Sequence, residues 1–229
     1  MAKITKEKWI ELAKRLFVYL LGLTLIGFGS NIAINSQLGI SPVNSIPLVL
    51  SLKFSFFTKG NWATVIFCVF ILIQLLILWK EFKWYYVFQI LVSIVFGWLF
   101  DATTIPAKIC FPVVDNYLLR LLYIVTSLVV IALGVMLYLE SNIMSMPAEG
   151  VALAVSKRTK WTVPTCKMLF DATVTAIAVT LSLIFFHSLE GVREGTVIAA
   201  LGVGFVMKPI SKLLKKPLQR WLYKNKDVK

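Results

Sequence analysis

Two proline-led apolar stretches in this chain are too short to cross a bilayer, although the apolar stretches around them are not. Pro42 follows Leu38-Gly39-Ile40-Ser41 and opens a run from Val43 to Leu52; Pro147 follows Ile143-Met144-Ser145-Met146 and opens one from Ala148 to Ser156. A proline at the first helical position gives up an amide bond that is unmade there anyway, and Ser41 is a good N-cap before it. Short helices are therefore expected from Pro42 to about Phe57 and from Pro147 to Ser156. The second rises about 15 Å as helix, half of a ~30 Å hydrocarbon layer. Lys157, Arg158 and Lys160 then demand water. The polar run Glu140-Ser141-Asn142 before it is expected to descend as extended chain, which mid-membrane depth tolerates only inside protein or beside water.

Six stretches of spanning length surround the two short ones: Leu16 to Ile34, Trp62 to Trp79, Trp84 to Phe100, Leu121 to Leu139, Pro164 to Phe186 and Gly195 to about Met207. The chain is 59% hydrophobic over 229 residues, against about 45–50% for soluble domains. An all-α integral membrane protein follows, with no room for a soluble domain between its apolar stretches. The net charge of +13 is concentrated, with five Lys or Arg in residues 1–15 and eight in residues 208–229. Among soluble proteins that balance would point to nucleic acid. Here the positive-inside rule accounts for it, expecting both termini in the cytoplasm of a cell whose inner (plasma) membrane holds the chain. The first stretch lacks a small-residue cleavage pattern and is expected to stay as a span.

Cys68, Cys110 and Cys166 have no metal or redox spacing, and His187 is the lone histidine. No hydrolytic or metal-assisted constellation assembles from these, so neither enzyme activity nor a cofactor is expected.

Sliding the sequence by 105 residues superposes its two halves without a gap over 39 positions. Arg15 falls on Arg120, Gly29 on Gly134, Ser36 on Ser141, Pro42 on Pro147, Ser51 on Ser156 and Lys53 on Arg158. Shared apolar composition would match Leu and Ile, but not Arg, Gly, Ser and Pro in one register. The reading is two tandem repeats, residues 1–101 and 118–210, with a linker at 102–117 and a basic cytoplasmic tail at 211–229. If the short elements dip in and return, each repeat has three spans plus one re-entrant half-helix, and the repeats are inverted. If the short elements span, there are eight crossings in parallel repeats. Helix length favours the inverted arrangement; loop charges do not separate the two.

The Gly39-Ile40-Ser41-Pro42 step, its echo from Pro147 to Gly150, and Gly195-Thr196 before the last span resemble the YczE/YitT-type bacterial membrane proteins over roughly residues 15–210. That resemblance implies a fold type and a bacterial inner membrane, and little about substrate. The aspartate that commonly follows the proline of each short element in that family is Asn44 here in one case and Glu149 in the other. The usual Gly-Pro closing the last span is Lys208-Pro209.

Polar residues within the apolar stretches are the candidate site. Glu149, at the third position of its short helix, is either a helix-start carboxylate favoured by the dipole or a site group facing its counterpart Asn44. Asp171 lies about 10 Å along its span. It reads as a functional intramembrane carboxylate, or as the partner of Lys167 one turn away. Glu140 and its counterpart Asn35 end the first spans of each half, as solvated termini or as site groups; Asn31 lies one turn before Asn35. Ser41 contributes its backbone. Bare helix starts favour an anion, but the carboxylates shift the balance to a cation, a proton or a polar zwitterion. The leading function is a small transporter or channel for such a solute. The alternatives are a substrate-binding membrane subunit of a multi-component importer and a regulatory membrane protein without transport. The expected partners are the bilayer, anionic lipid at the basic tail and a small-molecule or ion substrate. Nucleic acid is not expected, and a homodimer stays open.

Overall fold

The computed structural model describes residues 6–223. The outermost positions, 1–5 and 224–229, carry some of the basic residues counted above and lie outside the described residues. The order of helices is α1 (Lys6–Asn35), α2 (Pro42–Lys53), α3 (Lys59–Leu78), α4 (Gln89–Ala102), α5 (Thr104–Cys110), α6 (Tyr117–Ser141), α7 (Pro147–Arg158), α8 (Val163–Phe186) and α9 (Glu194–Leu222). Two 3-10 turns, Trp79–Glu81 and Trp84–Phe88, join α3 to α4. Among the described residues, six helical segments are long and apolar enough to cross a membrane. The chain is a multi-pass helical membrane protein.

Contacts near the helix termini give the bundle two distinct ends. At one, Asn35 Nδ2 donates to Phe111 O at 3.0 Å and Thr58 Oγ1 donates to Asp101 at 2.6 Å. At the other, the tail end, Arg15 Nε donates to Ser141 O at 2.8 Å and Lys14 Nζ to Trp221 O at 3.2 Å. The starts of α1 and the end of α9 therefore share one end.

Lipid offers apolar groups as good a home as protein does, so packing must come from close backbone approach. Gly22 and Gly134 bring α1 and α6 together: a Cβ on Gly134 would lie 2.7 Å from Gly22 O. Gly60 and Gly97 join α3 to α4 in the same way. Behind that contact the rings of Phe67, Phe96 and Phe100 stack in the core, at 5.5 and 5.7 Å between centroids. By contrast α8 and α9 bury little of their spanning surface.

The two short helices are 12 residues each. The first stops at Lys53, short of the expected Phe57, because Phe54 turns extended at φ −115° and ψ 95°, and Thr58 then caps α3 by accepting from Asn61 N at 3.1 Å. Most of the loop before α2 lies inside the protein, with Gln37 exposed: Leu38 and Ile40 are buried, Gly195 N donates to Leu38 O at 2.8 Å, and Ile40 N donates to Thr196 Oγ1 at 3.2 Å. Gly39, at φ 110°, passes so close to Thr196 and Arg193 that no side chain fits. Ser41 stands at the N-cap position, but its hydroxyl makes no capping bond.

The expected boundary between last span and tail is absent. α9 continues from Glu194 through Pro209 and Pro217 to Leu222 as one helix. An internal proline costs roughly 3 kcal/mol in a helix, and contacts at the far end hold this one in place. Glu140 accepts from Gln219 Nε2 at 2.6 Å and pairs with Lys215 at 2.8 Å. Tyr223 donates to Glu140 O, Arg15 lies over the Tyr223 ring, and Lys14 lies over the Trp221 ring.

Candidate functional site

The first turn of α7 carries the site. Pro147 starts it, the neighbouring Gly150 packs against the Gln74 amide of α3 with no room for a side chain, and Gln74 Nε2 donates to Pro147 O at 3.0 Å. Gln74 Nε2 also reaches Gln89 Oε1 at 3.0 Å. This anchoring turns Glu149 inward, where Oε2 is buried without a hydrogen-bond partner. The phenols of Tyr138 on α6 and Tyr19 on α1 face that carboxylate. Their rings meet edge to face at 6.1 Å, and both hydroxyls are buried and likewise unpartnered. Lys167 and Asp171 of α8 complete the charged groups around Glu149. Buried oxygens without a hydrogen-bond partner are costly in an apolar interior, which makes this cluster the candidate site.

Tyr138 is also the floor of a cleft of about 290 Å³ at the tail end, lined by Tyr85, Tyr86, Asn142, Ser145 and Leu153 among others. Asn142 and Tyr85 are exposed, so the cleft meets the surroundings there. The loop before α7 has this cleft beside it, whereas the loop before α2 packs against Gly195 and Thr196.

The remaining candidates are distributed differently. Asp171 accepts from Lys167 Nζ at 2.5 Å, the one-turn pair. Asn44 donates to Ser30 Oγ on α1 at 3.1 Å, with Oδ1 buried and unpartnered; its committed partner is thus α1, while Glu149 faces α6. Asn31 donates to Phe100 O at 2.8 Å and to Thr103 Oγ1 at 2.9 Å, and accepts from Lys59 Nζ. Asn31 and Asn35 together latch α1 to α4 and α5 at the end away from the cleft. Glu140 holds the end of α9, as described above. Among the expected site residues, Glu149 and Asp171 come together, and Asn31, Asn35, Ser41, Asn44 and Glu140 lie elsewhere.

Tyr19, Tyr138, Gln74 and Lys59 are not among the sequence candidates. Each reads as ordinary packing or a span end along its own helix; only tertiary contact gives Gln74 and Lys59 their polar partners and brings Tyr19 and Tyr138 to Glu149. Among the described residues no group of three or more His, Cys, Asp or Glu is arranged to hold a metal ion.

The model of a family of unknown function (DUF6198) matches residues 13–212. The chain belongs to this family. The match takes in every residue of the Glu149 cluster and the cleft, whereas the α9 side of the tail contacts, from Lys215 on, lies beyond it. No curated protein and no solved structure matches the chain.

Proposed function

We propose that this member of the family is a small secondary transporter or channel for a small polar or cationic solute, with Glu149 as its site carboxylate. The observation that carries the reading is the unpartnered Oε2 of Glu149, buried beside two unpartnered phenols at the start of a short helix. Charge decides the solute class. The start of α7 would favour an anion, but Glu149 opposes it, and Lys167 is engaged by Asp171.

The architecture we infer is a pair of inverted repeats with α2 and α7 as re-entrant half-helices. In its support, α2 and α7 begin at Pro42 and Pro147 and end at Lys53 and Arg158, offset by 105 residues at both ends. Gln37 and Asn142, offset alike, both adopt left-handed backbone, at φ 58° and 50°. Twelve helical residues rise only about 18 Å. The likeness to YczE/YitT-type proteins and a bacterial inner membrane with cytoplasmic termini belong to the same reading, and the shared end of α1's start and α9's end agrees with it. In this state the loop before α2 is plugged by α9 and the loop before α7 stands beside the cleft, which suits a carrier open at the tail end. Flux of small cations and zwitterions into vesicles holding the purified chain, against the Glu149→Gln variant, tests the function.

A further inference from the structure

The groups facing Glu149 come from three elements: Tyr19 of α1, Tyr138 of α6, and Lys167 with Asp171 of α8. Lys167 and Asp171 are already paired at 2.5 Å. As a unit they are neutral, so a charged Glu149 has no counter-ion of its own. An isolated carboxylate in such surroundings either finds a cation or takes up a proton.

The donor set discriminates between the two. Hard metal cations take six or more oxygens. The oxygens without a partner here number four, Glu149 Oε2, the two phenols and Gln74 Oε1, fewer than that. A proton needs a single acceptor, and the phenols suit it in both states. Each hydroxyl is one donor and an acceptor, so it donates to the carboxylate when Glu149 is charged and accepts from the carboxyl when Glu149 is protonated. Neither state leaves Oε2 without a partner once the hydroxyls rotate. Tyr138 additionally lines the tail-end cleft with its ring, while its hydroxyl is buried on the Glu149 side.

We propose that Glu149 is a proton-binding site whose carboxyl and carboxylate states are both held by the Tyr138 hydroxyl. In release, the carboxyl O–H bond breaks and the proton passes to a water molecule that reaches the site. Glu149 is left as carboxylate, Tyr138 as neutral phenol, and one proton has moved out; loading is the reverse. This rests on the site proposed above and adds to it the identity of the coupling ligand.

Infrared difference spectra of the purified full chain, recorded through a pH titration with no solute added, test it. The expected result is a protonated-carboxyl band in the wild type that disappears as pH rises. The band should be lost completely in Glu149→Gln and shifted in frequency in Tyr138→Phe, because the phenol bonds the carboxyl. A band retained in Glu149→Gln overturns the proposal, as does a folded wild type with no band at any pH. Tyr138→Phe decides the matter even where Glu149→Gln does not fold: a wild-type band that this variant leaves unmoved also overturns it. Loss of the band when sodium replaces choline at constant pH would assign the site to a metal cation instead. Because no solute is present, these outcomes are independent of whether any solute is carried.

Discussion

Lys53 and Arg158 close the two short helices at opposite ends of the bundle. Lys53 Nζ lies 5.7 Å from the centre of the Phe185 ring at the close of α8, beside Phe54 and Trp62 near the start of α3. Arg158 caps the other end of α3, donating to Ile77 O at 3.0 Å and Leu78 O at 2.9 Å and pairing with Glu81 at 3.0 Å. On the proposed re-entrant reading, each of these helices returns to the face it came from, and the two entered from opposite faces.

The first prediction follows from this opposition. With Cys68, Cys110 and Cys166 replaced, a cysteine at Ser55, exposed after α2, should react with an impermeant thiol reagent from outside the cell. A cysteine at Lys160, exposed after α7, should react only once the membrane is opened. Labelling of both from one side would contradict the inverted arrangement.

The α1–α6 contact predicts a contrast among glycines. Gly134→Ala places a methyl 2.7 Å from Gly22 O and 2.9 Å from Ile26; such overpacking costs about 1–3 kcal/mol and should lower the unfolding temperature. Gly204→Ala, with nothing within 4 Å, should be neutral or gain up to about 1 kcal/mol from helix propensity. Calorimetry or tryptophan fluorescence of the two variants in one detergent reads the difference; equal effects would contradict the packing described.

The far end of α9 is tied by Glu140, so Glu140→Ala should free it. Losing a charge-assisted bond to Gln219 and the pair with Lys215 should raise local opening, and cleavage by trypsin at Lys212, Lys215 and Arg220, roughly fivefold or more. An unchanged cleavage rate would mean that the aromatic contacts of Trp221 and Tyr223 suffice alone.

The parts of this structure legible in the sequence are those set by local chemistry. Pro42 and Pro147 announce helix starts because proline tolerates that position and few others, and the long helices announce themselves by length and lack of charge. The Lys167–Asp171 pair is legible from its spacing of one turn. Tyr19 and Tyr138 are not: a tyrosine inside an apolar span reads as packing until α7 turns Glu149 against α1 and α6. Glu140 reads as a solvated span end because its partner Gln219 is 79 residues away. For the same reason α9 reads as span plus tail, since nothing near Pro209 or Pro217 discloses the contacts that carry the helix past them. Asn44 and Glu149, matched in register, part company in the fold because Ser30 of α1 takes the first and Tyr138 of α6 faces the second.

The most direct test of the Glu149 site is solute flux in vesicles containing only the purified chain. Labelled methylammonium, choline and glycine betaine should be compared for wild type and Glu149→Gln, which keeps the shape of the side chain and removes its charge. Wild-type flux of one or more above empty vesicles is expected, falling about tenfold or more in Glu149→Gln at equal folded yield. Flux of the carried solute unchanged in Glu149→Gln would contradict the account, and so would no flux of any of the three by the folded wild type.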